Sequence, residues 1–186
     1  MRFLVRMLPG AVSHDGFLPS IRSLAKSVGV DARNPKWTSY GALELDIFSQ
    51  TKPDFELFLA TAGPLARFEF VKDLNVAPPH KEDAELLDEA RLLFNGERYW
   101  ECHEVLEGLW RQKVGDEKRL LQGVILVCAA FVHHQKGEEA VALGVLRRAL
   151  PLLARGSRSY GGIDIDRMKE SVEAALSQER FSDFLI

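Results

Sequence analysis

The sequence has few cysteines and no long apolar segment. Its 186 residues include two cysteines, Cys102 and Cys128. Both fall at apolar positions of predicted helices, so we expect buried thiols in a reducing compartment, packed as small core hydrophobes. No apolar run approaches the ~20 residues that span a bilayer, and the amino end is too short for a signal peptide. These absences predict a cytoplasmic protein with no membrane partner.

Several motifs of well-understood chemistry are also missing. The sequence contains no glycine-rich phosphate loop, no GxSxG motif and no CxxC pair. The net charge of -3 argues against strong, non-specific binding of nucleic acid by the whole chain. A hydrophobic content of 46% and a charged content of 27% are those of an ordinary globular protein with a real core.

The first part of the chain mixes the periodicities of strands and helices. Its apolar positions alternate with period two in some segments and recur at helical spacing in others. Strands are expected at residues 2–8, 37–40, 42–48 and 67–71, and helices at residues 20–28 and after Pro53. The resulting order, β-α-β-β-α-β with a weak second strand, predicts a ferredoxin-like domain. That fold hosts many functions and implies none by itself.

The best linker in the sequence runs from Val76 to His80. Its two adjacent prolines cannot continue a helix or a central strand. We therefore predict an α+β protein, with a ferredoxin-like domain at 1–74, a linker at 75–80 and an all-α bundle of about five helices at 81–186. We expect residues 81–186 to fold alone. The first 74 residues hold nine basic and eight acidic residues, so the acidity belongs to the second part.

The second part has helical periodicity throughout. Helices are expected at residues 84–94, 98–112, 118–134, 138–154, and from Asp164 or Asp166 to about residue 176. Gly96 and Gly137 sit where glycine commonly ends a helix. The third of these helices is apolar all round, which predicts a buried central helix. We expect Gly123 to mark a close crossing between the second and third.

The second of these helices carries the candidate site. His103, Glu107 and Trp110 fall at i, i+4 and i+7, so they share a side of the helix. A histidine and a carboxylate one turn apart, beside aromatic bulk, can bind a metal or exchange a proton. If this is an enzyme, metal-assisted or acid–base hydrolysis fits best. His103 is then ligand or base, Glu107 its partner, and Glu104 an exposed carboxylate at the mouth.

The third helix folds back against the second. A turn near Gly115 places Gln122 opposite Glu107, with His133 one or two turns from His103. We expect a buried cluster of His103, Glu107 and Gln122. Three interpretations stay open: a polar network that fixes helix register, a catalytic or divalent-metal site held by His103 and Glu107, and a site for another ligand. The HExxE pattern lacks the second histidine of the zinc-protease HExxH motif.

A segment without acidic residues runs from Ala140 to Ile163 and contains four arginines. These are Arg147, Arg148, Arg155 and Arg158. They can hold a phosphate or an RNA backbone, or they can simply be cations favoured near the carboxyl end of a helix. The alternative to an enzyme is therefore an interaction module that contacts RNA or protein through this patch or the ferredoxin-like sheet. A homo-oligomer is also left open.

Residues of about 84–176 resemble a known family, catalogued as domain of unknown function 309. The resemblance rests on Phe94 through Trp110, with His103, Glu104 and Glu107, and then on Gln122, Gly123, His133 and Gly137. Two departures are Cys102, where the family usually has alanine, and Glu138, where it usually has asparagine. The resemblance implies small all-helical relatives and no particular reaction. The amino-terminal 75 residues lie outside it.

Overall fold

The computed structural model describes residues 1–10, 14–77, 79–154, 158–182 and 184–186. The chain divides into two compact units, Met1–Pro79 and His80–Ile186. The division falls within the expected linker, while the independent folding of the two parts stays a prediction. Within the described ranges, no helix combines the length and the hydropathy that a membrane span needs.

The first unit is a mixed α+β layer structure with a four-stranded sheet. Its elements are β1 (Arg2–Pro9), α1 (His14–Ser27), β2 (Asp31–Trp37), β3 (Leu43–Phe48), α2 (Lys52–Ala62) and β4 (Ala66–Asp73). The sheet order is β2-β3-β1-β4, and each neighbouring pair is antiparallel. Thr51 caps α2 by accepting a hydrogen bond from the Asp54 amide, and Pro53 occupies the first turn, where proline costs nothing.

The core of this unit follows from period-two alternation. Phe3 and Val5 of β1 and Ile47 of β3 are buried together with Phe17 of α1 and Phe55 of α2. The rings of Phe3 and Phe55 stack with centroids 3.7 Å apart. Burying each large apolar side chain contributes about 1.5–3 kcal/mol, so this one face holds the helices on the sheet.

Strand β2 differs from the prediction. It was expected at residues 37–40 and instead runs from Asp31 to Trp37. The register with β3 shifts between Arg33 and Lys36, and Asn34 has a positive φ of 52°. Because Pro35 has no N–H to donate to the ladder, a bulge at this point lets the strand continue past it. From the sequence alone, the Asn34-Pro35 pair indicates an end of regular structure.

Charged side chains of the first unit are buried in pairs at alternate positions of the same strands. Glu44 accepts from Arg6 Nη2 at 2.9 Å and lies 2.5 Å from Lys36 Nζ, with all three side chains 4% exposed. Asp46 accepts from Arg2 at 3.0 Å and from Asn34 at 2.7 Å. Buried charges persist only when paired, and breaking such a pair costs about 3–5 kcal/mol.

The second unit consists of helices with one short hairpin. Its elements are α3 (Asp83–Asn95), α4 (Tyr99–Trp110), α5 (Gly115–Gln135), α6 (Glu139–Leu153), β5 (Ser159–Tyr160), β6 (Ile163–Asp164) and α7 (Ile165–Gln178). In the described residues the whole chain has seven helices, five of them in this unit. The five helices of this unit agree with the expected number, and the short hairpin of β5 and β6 departs from the expected all-helical bundle. Gly161 and Gly162 both have positive φ, at 53° and 82°, which a tight turn between paired strands requires.

Helix α5 forms the centre of the second unit, as expected. The ring of Phe131 on α5 contacts the rings of Phe94 and Tyr99, with centroid distances of 5.6 and 4.7 Å. The expected crossing of α4 and α5 at Gly123 is wrong, because a Cβ at Gly123 would lie 3.1 Å from Leu152 Cβ and from Leu153 Cδ2 of α6. The small residue therefore permits the close approach of α5 and α6.

Candidate metal centre on helix α4

Helix α4 presents the candidate residues at the edge of its buried face. Tyr99, Cys102, Leu106 and Leu109 recur at helical spacing and are all buried in the core of the second unit. His103 and Glu107 follow Cys102 and Leu106 by one position each. The same phase that buries the apolar stripe therefore places the imidazole and the carboxylate beside it, half in contact with solvent.

Three side chains of α4 that are able to bind a metal ion lie close together. One ligand atom from each of His103, Glu104 and Glu107 lies within 4.8 Å of the others. His103 Nδ1 is 3.4 Å from Glu104 Oε1, and these side chains are 20% and 54% exposed. The Glu107 side chain is 36% exposed. The group is therefore a surface cluster with one largely buried member, and it is more exposed than the buried site that the sequence predicted.

His103 is held by a neighbouring ring instead of by a hydrogen bond. Trp100 stacks on the imidazole with ring centroids 5.5 Å apart and planes 6° from parallel. Nδ1 of His103 is buried, yet it has no hydrogen-bond partner among the described residues. Buried polar atoms are nearly always paired in folded proteins. An orphaned imidazole nitrogen beside two carboxylates therefore calls for an explanation.

Glu107 has a partner that the sequence analysis missed. Arg111 Nη2 donates to Glu107 Oε2 at 3.1 Å. The sequence contains the signal for this pair, because Glu107 and Arg111 are four residues apart and residues i and i+4 of one helix are neighbours. The pair is solvent-exposed and contributes about 0–1 kcal/mol to stability. An incoming cation can therefore displace Arg111 at small cost.

Trp110, the last residue of α4, contacts α5. Lys118 Nζ lies 4.3 Å from the centroid of the Trp110 ring, which is cation–π geometry. The Trp110 Nε1 is buried without a hydrogen-bond partner among the described residues. Trp110 follows Glu107 by three residues, so the two side chains are neighbours on the surface of α4.

The contacts of the described residues do not join Gln122 or His133 to the cluster. Gln122 is exposed, and the hydrogen bonds of the described residues include none between it and Glu107. The small Gly123 beside it faces α6, so this turn of α5 does not point both residues toward α4. His133 Nδ1 is 2.5 Å from Glu138 Oε2 at the turn after α5. This hydrogen bond lowers the pKa of the Glu138 carboxyl from its ordinary value.

The arginine patch is only partly described. Arg155 lies outside the described residues. Arg147 and Arg148 are exposed on α6, and Arg147 Nη2 lies 3.9 Å from Glu179 Oε1. Arg158 Nε is 3.7 Å from Asp166 Oδ2. Acidic side chains at the two ends of α7 therefore face Arg147 and Arg158, although the segment that carries these arginines has no acidic residue.

The two cysteines meet between α4 and α5. Both thiols are fully buried, and Cys128 Sγ lies 3.3 Å from Cys102 Sγ without a disulfide. This contact, together with burial, raises the pKa of the Cys102 thiol well above its ordinary value. Both thiols pack in the core, as expected for small hydrophobic side chains. Cys102 immediately precedes His103 on α4.

Comparison with known proteins identifies the kind of protein that carries this helix. Residues 87–145 match the family model described as Domain of unknown function (DUF309). The match contains α4 and α5 and therefore the whole His103 cluster. The similarity to this family lies within the second unit.

Relatives of the chain are themselves uncharacterised. An uncharacterized protein of Aquifex aeolicus (strain VF5) is 26% identical over 102 residues, which are 54% of this chain and 31% of that protein. The uncharacterized protein YpuF of Bacillus subtilis (strain 168) is 29% identical over 83 residues, 43% of this chain and 48% of YpuF. The chain therefore spans less than half the length of these curated relatives.

A solved structure is also similar. A conserved hypothetical protein of Thermus thermophilus, known as a crystal structure, is 36% identical. The similarity covers 48% of this chain and 94% of that protein, with a TM-score of 0.43.

Proposed function

We propose that the cluster of His103, Glu104 and Glu107 binds a divalent transition-metal ion and that the bound ion assists a hydrolytic reaction. The observation that carries the proposal is the orphaned, buried Nδ1 of His103, in a group where one ligand atom each of His103, Glu104 and Glu107 lies within 4.8 Å of the others. A metal ion would give that nitrogen the partner it lacks, and neutral imidazole is the commonest metal ligand in proteins.

The spacing of these atoms supports the proposal. Zinc binds nitrogen and oxygen at about 2.0–2.2 Å, so two ligands of one tetrahedral ion lie about 3.3 Å apart. His103 Nδ1 and Glu104 Oε1 are separated by 3.4 Å. Glu107 would complete the set after its carboxylate turns away from Arg111. The movement involves one surface side chain and leaves the helix unchanged.

Three protein ligands would leave a bound metal ion able to activate water for hydrolysis. A catalytic zinc ion keeps one coordination position for water and lowers the pKa of that water to about 7. His103 would anchor the ion, since Trp100 fixes the plane of its ring. Glu107 would be the second ligand. Glu104 is the most exposed of the three, so it is suited either to complete the ligand set or to take a proton at the mouth.

Metal binding is tested by equilibrium dialysis of the full chain against zinc. We expect about one equivalent bound, with His103→Ala and Glu107→Gln each weakening binding by tenfold or more. His133→Ala is the matched control, because His133 also pairs with a glutamate and lies outside the cluster. Equal binding by all four proteins, or no binding by the unmodified chain, would refute the metal site.

Hydrolysis is tested separately with activated substrates. The zinc-loaded chain should hydrolyse p-nitrophenyl acetate or bis(p-nitrophenyl) phosphate faster than the His103→Ala variant under the same conditions. Zinc binding without any such difference would leave a metal site and remove the hydrolytic part of the proposal.

For the first unit we propose a ferredoxin-like arrangement in a cytoplasmic protein. The strand order β2-β3-β1-β4, with α1 connecting β1 to β2 and α2 connecting β3 to β4, supports the fold. The unbridged thiols of Cys102 and Cys128 support a reducing compartment. Cell fractionation of a tagged chain checks the location, and recovery outside the cytoplasm would contradict it.

A further inference from the structure

A groove opens in the first unit where α1 meets the paired strands β2 and β3. It consists of two adjoining cavities of about 480 and 440 Å³. Both are lined by Lys26, Asp31 and Arg33. Arg22 of α1 extends the first cavity, and Phe48 at the end of β3 lines the second. Together they have the size range of a small-ligand site.

The groove is positively charged although the chain is acidic. Arg22, Lys26 and Arg33 line it and are exposed, against the single carboxylate of Asp31. Asp31 forms an ion pair with Arg33, in which Arg33 Nη2 lies 2.6 Å from Asp31 Oδ2. The ion pairs of the described residues include none with Arg22 or Lys26. The net charge of the chain is -3, so this concentration of unpaired cations is a local feature.

An aromatic ring lies beside these cations. The guanidinium carbon of Arg33 is 4.8 Å from the centroid of the Phe48 ring, and that of Arg2 is 5.6 Å away. Phe48 is half-buried, so its ring is fixed by the sheet and still reached from the second cavity. Because the Arg33 guanidinium lies over this ring, a flat aromatic ligand can stack on the layer that the two side chains form.

We propose that this groove binds single-stranded nucleic acid. The phosphates contact Arg22 and Lys26, and one base stacks on the surface formed by Arg33 and Phe48. Cationic grooves that follow a backbone, together with aromatic rings on which bases stack, are the usual means of binding single strands. A duplex keeps its bases stacked on one another and cannot offer one to Phe48. A simple inorganic anion would use the cations and would gain nothing from the ring.

The test is fluorescence anisotropy of the full chain with a labelled single-stranded oligouridine, repeated over a series of salt concentrations. Removing both free cations in Arg22→Gln/Lys26→Gln should weaken binding by tenfold or more. It should also reduce the slope of log K against log salt by about 1.4, since each neutralised phosphate contributes about 0.7 for single strands. Phe48→Leu should weaken binding about tenfold and leave the slope unchanged.

The matched control removes the same two charges elsewhere. Arg67 of β4 and Arg119 of α5 are 74% and 58% exposed and line neither cavity. Arg67→Gln/Arg119→Gln should bind like the unmodified chain. Equal losses in the two double variants would overturn the proposal, because binding would then follow net charge alone. Absence of binding at low salt, equal affinity for a duplex of the same length, or full competition by inorganic phosphate would also overturn it. Circular dichroism confirms that each variant is folded.

Discussion

His103 Nδ1 lies 3.4 Å from Glu104 Oε1 and makes no hydrogen bond with it. A hydrogen bond between these groups would be shorter and better aligned. The separation is instead close to that of two ligands on one metal ion. The proposed metal site rests on this relationship, and a polar pair that only stabilises the fold is the alternative to be tested.

Stability measurements separate these two cases. Replacing His103 with alanine breaks no hydrogen bond, so we expect the free energy of unfolding to fall by less than about 1 kcal/mol. Glu101→Ala is the contrasting variant on the same helix. Glu101 is buried and accepts from Arg98 at 2.5 and 2.7 Å, so its loss should cost about 3–5 kcal/mol. Urea unfolding of both variants checks this, and similar losses would assign His103 a structural role.

Arg111 should oppose metal binding. It holds Glu107 at 3.1 Å, and a metal ion must displace it to gain that carboxylate. We therefore expect Arg111→Gln to bind zinc about two- to fivefold more tightly, since an exposed pair of this kind is worth up to about 1 kcal/mol. Zinc titration of the two proteins is the measurement. A weaker affinity in the variant would show that Arg111 supports the site and does not compete for it.

Two helical glycines should respond in opposite ways to substitution. Gly108 is exposed, and a Cβ there meets nothing within 4 Å, so Gly108→Ala should stabilise the protein by up to about 1 kcal/mol through helix propensity. Gly123 faces Leu152 and Leu153 of α6 at 3.1 Å, so Gly123→Leu should cost about 1–3 kcal/mol through overpacking. Thermal melts of both variants test the packing of α5 on α6. An unchanged melting temperature for Gly123→Leu would contradict it.

Helix α1 begins at His14, six residues before the expected start, and contains Pro19. The other helices were predictable from the sequence to within a few residues because their signals are local. Leu106 and Leu109 repeat at helical spacing, and Asp164 caps α7 by accepting from the Arg167 amide at 2.9 Å. Strand β2 was misplaced because Pro35 is typical of a strand breaker, and only pairing with β3 reveals the bulge that accommodates it. The short hairpin at Ser159–Asp164 depends on pairing of the same kind.

The site was predictable only within one helix. His103, Glu104 and Glu107 share α4, so helical phase alone brings them together. To predict where Gln122 and His133 lie, one must also know how α5 is rotated about its own axis. The sequence does not specify that rotation. The contact of Gly123 with α6 sets that rotation, and it leaves Gln122 in solvent. The partners Trp100 and Arg111 lie three residues before His103 and four after Glu107, so spacing on α4 could have indicated both.

The pair of Tyr160 and Glu117 should make stability depend on pH at both ends. The Tyr160 hydroxyl donates to Glu117 Oε1 at 2.5 Å. Burial and this hydrogen bond raise the pKa of Tyr160 from its ordinary 10.0, so its stabilising contribution is lost as the pH rises above that value. The hydrogen bond from Tyr160, together with Lys113, lowers the pKa of Glu117 from 4.5, so its contribution is present above that pH and is lost as the pH falls.

Urea unfolding of the unmodified chain and of Tyr160→Phe, at pH 3–7 and at pH 9–11, checks this pair. The difference in stability between the two proteins should be largest near neutral pH and should shrink toward both extremes. A constant difference across the whole range would show that Tyr160 stabilises the hairpin by packing alone.

The most direct test of the metal site is an anomalous difference map from crystals of the full chain soaked in zinc. The account predicts one dominant peak about 2.0–2.2 Å from a ring nitrogen of His103 and from carboxylate oxygens of Glu104 or Glu107. The histidine–glutamate pairs His133–Glu138 and His134–Glu139 provide an internal comparison, at 2.5 and 2.6 Å between their ligand atoms. A dominant peak at either of those pairs, or no peak at His103, would contradict the central claim.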